Sequence, residues 1–172
     1  MKRVKEILIV VIGVILLGPS CSYKLSLNGS SVGNLKTIHV DFFENNALIV
    51  VNNLSTQFTE ALKTRIRNTT SLAIVSGEGD ATMSGSITGY EFAPISINAT
   101  ANNVAPIAGA SRLTITVHVK YVDNLDKKNN FDESFTKYEN YTGDIAAKEQ
   151  TLIADINKQL TEDIFNKAFA NW

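Results

Sequence analysis

Apolar residues recur along this chain in three rhythms, and each predicts a different kind of element. The first is unbroken. After Lys2, Arg3 and Lys5, residues 7–17 are aliphatic apart from one glycine, and Gly18-Pro19 ends the run. A bilayer-spanning helix needs about 20 apolar residues. This run is too short for a permanent span, and its basic start, apolar centre and small residues ahead of Cys21 have the layout of an export signal. The second rhythm is alternation. Over 36–43, Ile38, Val40 and Phe42 fall on one side and Thr37, His39 and Asp41 on the other, which predicts a half-buried strand. Over 112–123, Leu113, Ile115, Val117, Val119 and Tyr121 alternate strictly with Arg112, Thr114, Thr116, His118 and Lys120. This is the clearest strand in the chain, one face core and the other polar. Residues 72–75 form a short apolar strand. Residues 81–97 form a long one, with Gly85 and Gly89 marking a bend or a close backbone approach and Pro94 expected to interrupt its pairing. A further strand, 131–138, follows the turn at 124–130, so these strands predict an antiparallel meander.

The third rhythm repeats every four residues. Leu54, Phe58, Leu62 and Ile66 predict an amphipathic helix over 52–68 with Asn52 or Asn53 as its cap. Lys63, Arg65 and Arg67 stand toward its C-terminal end, where the helix dipole favours cations. A second helix, 145–169, carries Leu152, Ile156, Leu160, Ile164 and Ala168 on one stripe, widened by Ile153 and Phe165. Strand, helix, strand in succession predicts a parallel pair with a right-handed crossover. The whole order is β-α-β-β-β-β-α. The fold class is α+β, a two-layer sandwich in which two helices pack on one face of a mixed sheet of four to five strands. Residues 98–111, NATANNVAPIAGAS, are uncharged and long for a hairpin connection, the kind of loop that carries function. Residues 22–34 are rich in Ser, Asn and Gly and read as a tether. The domain plan is therefore a signal over 1–20, a tether over 21–34 and one folded domain over 35–172.

Composition changes this picture at one residue. Cys21 is the only cysteine, so no disulfide can form within the chain, and packing alone must hold the fold. Its setting resembles a bacterial lipoprotein signal, with Ser20 as the small residue before it, although Gly18 stands where leucine is usual and Leu17 is displaced by one. That resemblance implies that Cys21 becomes the acylated first residue of the mature protein, and Ser22 after it fits outer-membrane sorting. A secreted protein with a free thiol is the other reading. Loss of the signal removes Lys2, Arg3, Lys5 and Glu6 from a chain of net charge −1, leaving about −3. No strongly basic face for nucleic acid is implied.

Catalysis has no candidate constellation. His39 and His118 are the only imidazoles, and no HExxH, GxSxG or glycine-rich phosphate loop occurs. Asp132 and Glu133 fall on opposite faces of a strand and could not act on one bond. No enzyme, metal site or cofactor is expected, apart from the covalent lipid on Cys21. His39 and Asp41 share a polar strand face without a visible third ligand.

The stretches FTEALKTRIRN, GSITGYEF, RLTITVHVKY and EDIFNKAFANW, in that order after a lipoprotein signal, resemble the LPS-assembly lipoprotein family, LptE-like, over essentially all of 21–172. The resemblance implies an outer-membrane lipoprotein on the periplasmic side. It would sit as a plug in the lumen of a large β-barrel partner, LptD-like, help that barrel assemble, and engage LPS on its way to the outer leaflet. The phosphates of LPS are bound by Arg in bidentate fashion and by Lys as a point charge. Arg112, His118 and Lys120 on one strand face, with Lys127 and Lys128 in the next turn, are the LPS-binding candidates. Solvated strand chemistry, in which lysines discourage edge pairing, explains the same residues. The loop at 98–111 is the candidate for insertion between barrel walls, where charges would be costly to desolvate. A lipoprotein that binds a glycan without a barrel partner is the alternative.

Overall fold

The apolar sides of the alternating segments come together as one face of a single mixed sheet. The computed structural model describes residues 32–95 and 110–170. The proposed signal and Cys21, the tether up to residue 31, the last two residues of the expected strand 81–97, and residues 98–109 of the uncharged loop lie outside the described residues. In chain order the elements are β1 (Thr37–Val40), β2 (Glu44–Asn45), α1 (Leu54–Thr69), β3 (Ala73–Val75), β4 (Ala81–Pro94), β5 (Ala110–Asp123), a short 3-10 turn (Lys127–Asn129), β6 (Phe131–Thr142) and α2 (Glu149–Phe169). The sheet order is β3-β1-β4-β5-β6, with β2 also paired to β4. β1 is parallel to both β3 and β4, so the expected parallel pair across α1 is present. β4, β5 and β6 form the expected antiparallel meander. The two-layer α+β architecture holds, with a sixth strand, β2, that the sequence did not announce.

β1 and β2 lie on the same edge of β4, at Ala81–Met83 and at Ser86–Ile87 respectively, as one strand broken in the middle. At the break the Asp41 amide donates to the Met83 carbonyl, 2.9 Å. The alternation expected over 36–43 fails here: Phe42 is exposed and Phe43 is fully buried. The cause lies opposite, at Gly85. A Cβ there would sit 2.0 Å from the His118 carbonyl oxygen and 2.8 Å from the Phe43 ring, so only glycine lets Phe43 cross to the helix side. Phe43 then meets Phe58 edge-on at 5.1 Å, and its amide donates to the Thr59 hydroxyl. Gly89 marks a register shift between β4 and β5, where Thr88 is the extra residue.

Both helices cover the same face. α1 buries Leu54, Phe58, Leu62 and Ile66, and α2 buries Leu152, Ile153, Ile156, Leu160, Ile164, Phe165 and Ala168, the stripes read from the sequence. Asn53 precedes α1 in a left-handed conformation and gives no side-chain cap bond, contrary to the expected capping. α2 starts at Glu149, four residues later than its apolar pattern, because the Ile145 carbonyl closes a turn on the Lys148 and Glu149 amides first. The two helices run parallel and are tied by Gln57 to Gln150 at 3.0 Å and by Arg65 to Thr161 and the Lys158 carbonyl at 3.3 Å. α2 runs antiparallel to β6, and its residues 159, 163 and 167, one turn apart, meet Glu139, Lys137 and Glu133 in succession. Gln159 donates to Glu139, Lys137 pairs with Asp163 at 2.7 Å, and Lys167 pairs with Glu133 at 2.9 Å.

Pro94 ends β4 without interrupting it. The next amide, Ile95, still donates to the Ala110 carbonyl, 3.0 Å. β2 stops opposite Ile87, so the proline's missing donor faces a side of β4 that no described strand occupies. β6 runs on to Thr142, beyond the expected end at 138. At the other end of the sheet, Asp80 closes the start of β1 by accepting from the Lys36 and Thr37 amides at 2.9 and 3.0 Å.

Candidate ligand-facing surface

Among the described residues, helices cover one face of the sheet and leave the other open, and the polar residues of β5 singled out above lie on that open face. Along β5 it presents Arg112, Thr114, Thr116, His118 and Lys120. Opposite stand Asn140, Tyr138, Thr136, Ser134 and Asp132 of β6, one for each in the same order. The face is largely self-satisfied. The Arg112 guanidinium stacks over Tyr138 at 3.7 Å and its Nε donates to Asn140 Oδ1 at 2.9 Å. Thr116 and Thr136 share a hydroxyl bond of 3.0 Å. His118 Nε2 lies 2.7 Å from Asp132 Oδ1. Asp132 turns to the open face and Glu133 to α2, so the opposite orientation of these two carboxylates is as expected.

The five basic candidates do not form one cluster. Arg112 and Lys120 are on the same face, but eight residues of strand separate them by about 27 Å. Lys127 and Lys128 sit just past the end of β5, at the same end of the sheet as His118 and Lys120. Among the described residues, Lys120, Lys127 and Lys128 make no ion pair. These three lysines are free to meet an anion, whereas Arg112 and His118 already have partners.

Asp123 builds the turn that presents the lysines. Its Oδ1 accepts from the Leu125 and Asp126 amides at 2.8 Å, its Oδ2 accepts from Asn129 at 3.0 Å, and its own amide donates to Asn130. Burial pushes this carboxyl up, but the bonds from Asn129, Asp126 and Leu125 outweigh it and hold the group below the usual carboxylate range. The charge is therefore fixed inside the turn. Beneath the turn is a cleft of about 460 Å³ lined by residues including Leu35, Tyr121, Leu125 and Phe169. The Tyr121 hydroxyl is buried there without a hydrogen-bond partner among the described residues. Burial first, and the Asp123 charge second, push its phenol pKa up.

His39 on β1 and Asp41 just past its end do engage one another. His39 Nε2 is 2.8 Å from Asp41 Oδ1, and Nδ1 is 3.0 Å from the Val75 carbonyl of the edge strand β3. Both partners accept only, so the ring satisfies both as the protonated imidazolium. The Val75 carbonyl, then Asp41, raise its pKa above the usual value. No group of three or more potential metal ligands occurs among the described residues.

One surface escaped the sequence reading. Leu48, Ile49 and Val50, in the loop between β2 and α1, are consecutive and exposed. A run of aliphatics is the usual mark of a buried strand, so nothing in the sequence signalled their exposure.

The LptE family model, described as lipopolysaccharide-assembly, matches residues 35–168. No curated protein matches the chain. Among solved structures, a hypothetical protein from Chlamydia trachomatis aligns with a TM-score of 0.53 at 10% identity, covering 80% of this chain and 99% of that one. Rare lipoprotein B from Shewanella oneidensis aligns with a TM-score of 0.51 at 12% identity, over 76% and 92% of the two chains. A protein from Xanthomonas campestris gives 0.51 at 10% identity, over 76% and 81%. At these identities the likeness is one of fold alone.

Proposed function

Because the chain belongs to the LptE lipopolysaccharide-assembly family, we propose that it is an outer-membrane lipoprotein held by lipid on Cys21, on the periplasmic side and in the lumen of an LptD-like barrel. There it acts as plug and assembly partner of the barrel and binds LPS during its passage to the outer leaflet. The observation that carries this reading is the family match, which spans nearly the whole folded domain. The geometry is compatible with work done by contact and not by bond chemistry. The covered face is a tightly packed core, and the open face is a polar wall whose side chains answer one another across β5 and β6.

On this reading the lysine end of the open face meets the phosphates of LPS, with Lys120, Lys127 and Lys128 as point charges on a turn that Asp123 holds rigid. Arg112 contributes from the far end with the guanidinium donors that Asn140 does not use. A charge-assisted contact of this kind contributes about 1.5–3 kcal/mol. Recovery of the full-length protein in mild detergent tests the reading. A stoichiometric large β-barrel and bound LPS are expected. A monomer with affinity for a glycan would replace this function with the alternative one. Mass spectrometry of the mature N-terminus checks the anchor: acyl chains on Cys21 are expected, and cleavage elsewhere without acylation would remove that part.

A further inference from the structure

Tyr121 is 1% exposed, and its hydroxyl has no hydrogen-bond partner among the described residues. Native interiors rarely leave such a group unmatched, so each case calls for an explanation. The ring cannot swing out to water, because Phe131 stacks on it at 5.5 Å and Phe169 meets it edge-on at 5.7 Å. Any partner must come to the hydroxyl. The cleft that Tyr121 lines is the route, and its volume of about 460 Å³ lies within the range of about 300–1,000 Å³ typical of small-molecule sites. Its lining is divided. Leu35, Ala168 and Phe169 are a buried apolar wall, whereas Asn34 and Asp126 are polar and exposed.

Charge narrows the occupant. Asp123 and Asp126 both line the cleft, so it repels an anion. Nor are these carboxylates free for a cation. Asp123 Oδ1 accepts two amides and its Oδ2 accepts from Asn129, Asp126 Oδ1 accepts the Lys128 amide at 3.1 Å, and no group of three potential metal ligands occurs among the described residues. The cleft therefore suits an uncharged group that offers C–H surface to the apolar wall and hydroxyls to the polar side, and a sugar ring has both. On the turn that Asp126 begins, Lys127 and Lys128 carry charges with no ion pair among the described residues. A neutral ring and a negative substituent are thus accommodated side by side. We propose that the cleft takes one sugar ring of a phosphorylated saccharide, with the phosphate on Lys127 and Lys128 and a ring hydroxyl bonded to the Tyr121 hydroxyl, a role that rests on the LPS-binding reading above and gives the saccharide part a named seat.

The test compares the full-length protein with its Tyr121→Phe variant, which keeps the ring and its packing and removes only the hydroxyl. Without ligand, the variant should melt at the wild-type temperature or above it, since the atom removed makes no bond. A lower melting temperature would mean that ordered water or the protein's own chain already satisfies the hydroxyl, and would overturn the proposal. Two probes, titrated by calorimetry in detergent, then separate the cleft from the lysines. Deacylated LPS, which keeps its sugars and phosphates, should bind Tyr121→Phe about three- to tenfold more weakly than wild type. Inorganic phosphate should bind the two alike. Lys127→Ala with Lys128→Ala should weaken both probes, and unchanged binding there would refute the pairing of ring and phosphate. Equal affinity of wild type and Tyr121→Phe for deacylated LPS would remove the sugar from the cleft while the LPS reading stands. An equal loss with both probes would make the hydroxyl a support of the turn and not a ligand contact, which also overturns the assignment. If the wild-type protein does not bind deacylated LPS, the LPS reading itself fails and takes this proposal with it.

Discussion

The two faces of the sheet solve the same problem by opposite means. On the covered face, strands and helices expel water, and Phe43, Phe58, Ile156 and Leu160 are held by shape alone. On the open face, water remains, and Arg112 with Tyr138, Thr116 with Thr136 and His118 with Asp132 answer one another across β5 and β6. The difference teaches where sensitivity should lie. A side chain removed from the covered face leaves a hole that nothing fills, whereas one removed from the open face leaves a site that water fills at once. The fold therefore depends on the first face and leaves the second available for contact.

Four substitutions or titrations sharpen this contrast. The largest effect is expected at the packed seam between β2 and α1. Phe58→Ala empties a fully buried ring site against Phe43 and should cost about 3–5 kcal/mol, or roughly 10–15 °C of melting temperature in a domain of this size, read by thermal or chemical unfolding. Gly85→Ala comes next because it touches both faces, setting a methyl group against the His118 carbonyl and the Phe43 ring. It should cost about 2–3 kcal/mol, and a cost below that of Arg112→Ala would show that Phe43 need not cross there. Arg112→Ala removes an exposed stack and one hydrogen bond on the open face and should cost under about 1 kcal/mol; a loss as large as that of Phe58→Ala would erase the contrast.

The smallest effect concerns His39. Its folded pKa is raised above the unfolded value, so the bridge to Val75 and Asp41 contributes fully below about pH 6.5. That contribution is lost as pH rises through the raised folded value. Nuclear magnetic resonance should show the His39 ring titrating at higher pH than a model imidazole, with faster amide exchange in β3 once it deprotonates. A ring that titrates at or below the ordinary value would mean that the two bonds do not hold in solution.

Much of the covered face was legible because its determinants are local. The four-residue stripes of α1 and α2 and the alternation of β5 state which side is apolar without knowing what lies opposite. Elsewhere the decisive neighbour is remote. Phe43 rather than Phe42 turns inward because Gly85, some forty residues on, leaves room for it, and periodicity alone favoured the other phenylalanine. The aliphatic run 48–51 reads as something to bury, yet only Val51 packs against the core in part. The basic candidates show a third limit. Alternation correctly put Arg112 and Lys120 on one face, but parity carries no information about separation along a strand. The ladder between β6 and α2 was invisible for the related reason that its partners are 20 to 34 residues apart in the chain.

The ties between the helices have a kinetic meaning. Gln57 meets Gln150 and Arg65 meets Thr161 across 93 and 96 residues of sequence, and α2 is the last described element of the chain. As the chain emerges, α1 and the meander exist for some time with half of the covered face bare, because the element that shields it has not yet been delivered. Closure waits on the C-terminus, and contacts between distant parts of a chain slow folding. Over that interval the apolar side of β5 is an aggregation hazard of the kind that chaperones handle. A truncation that removes α2 should therefore yield an insoluble chain, even though it leaves every strand of the sheet in place.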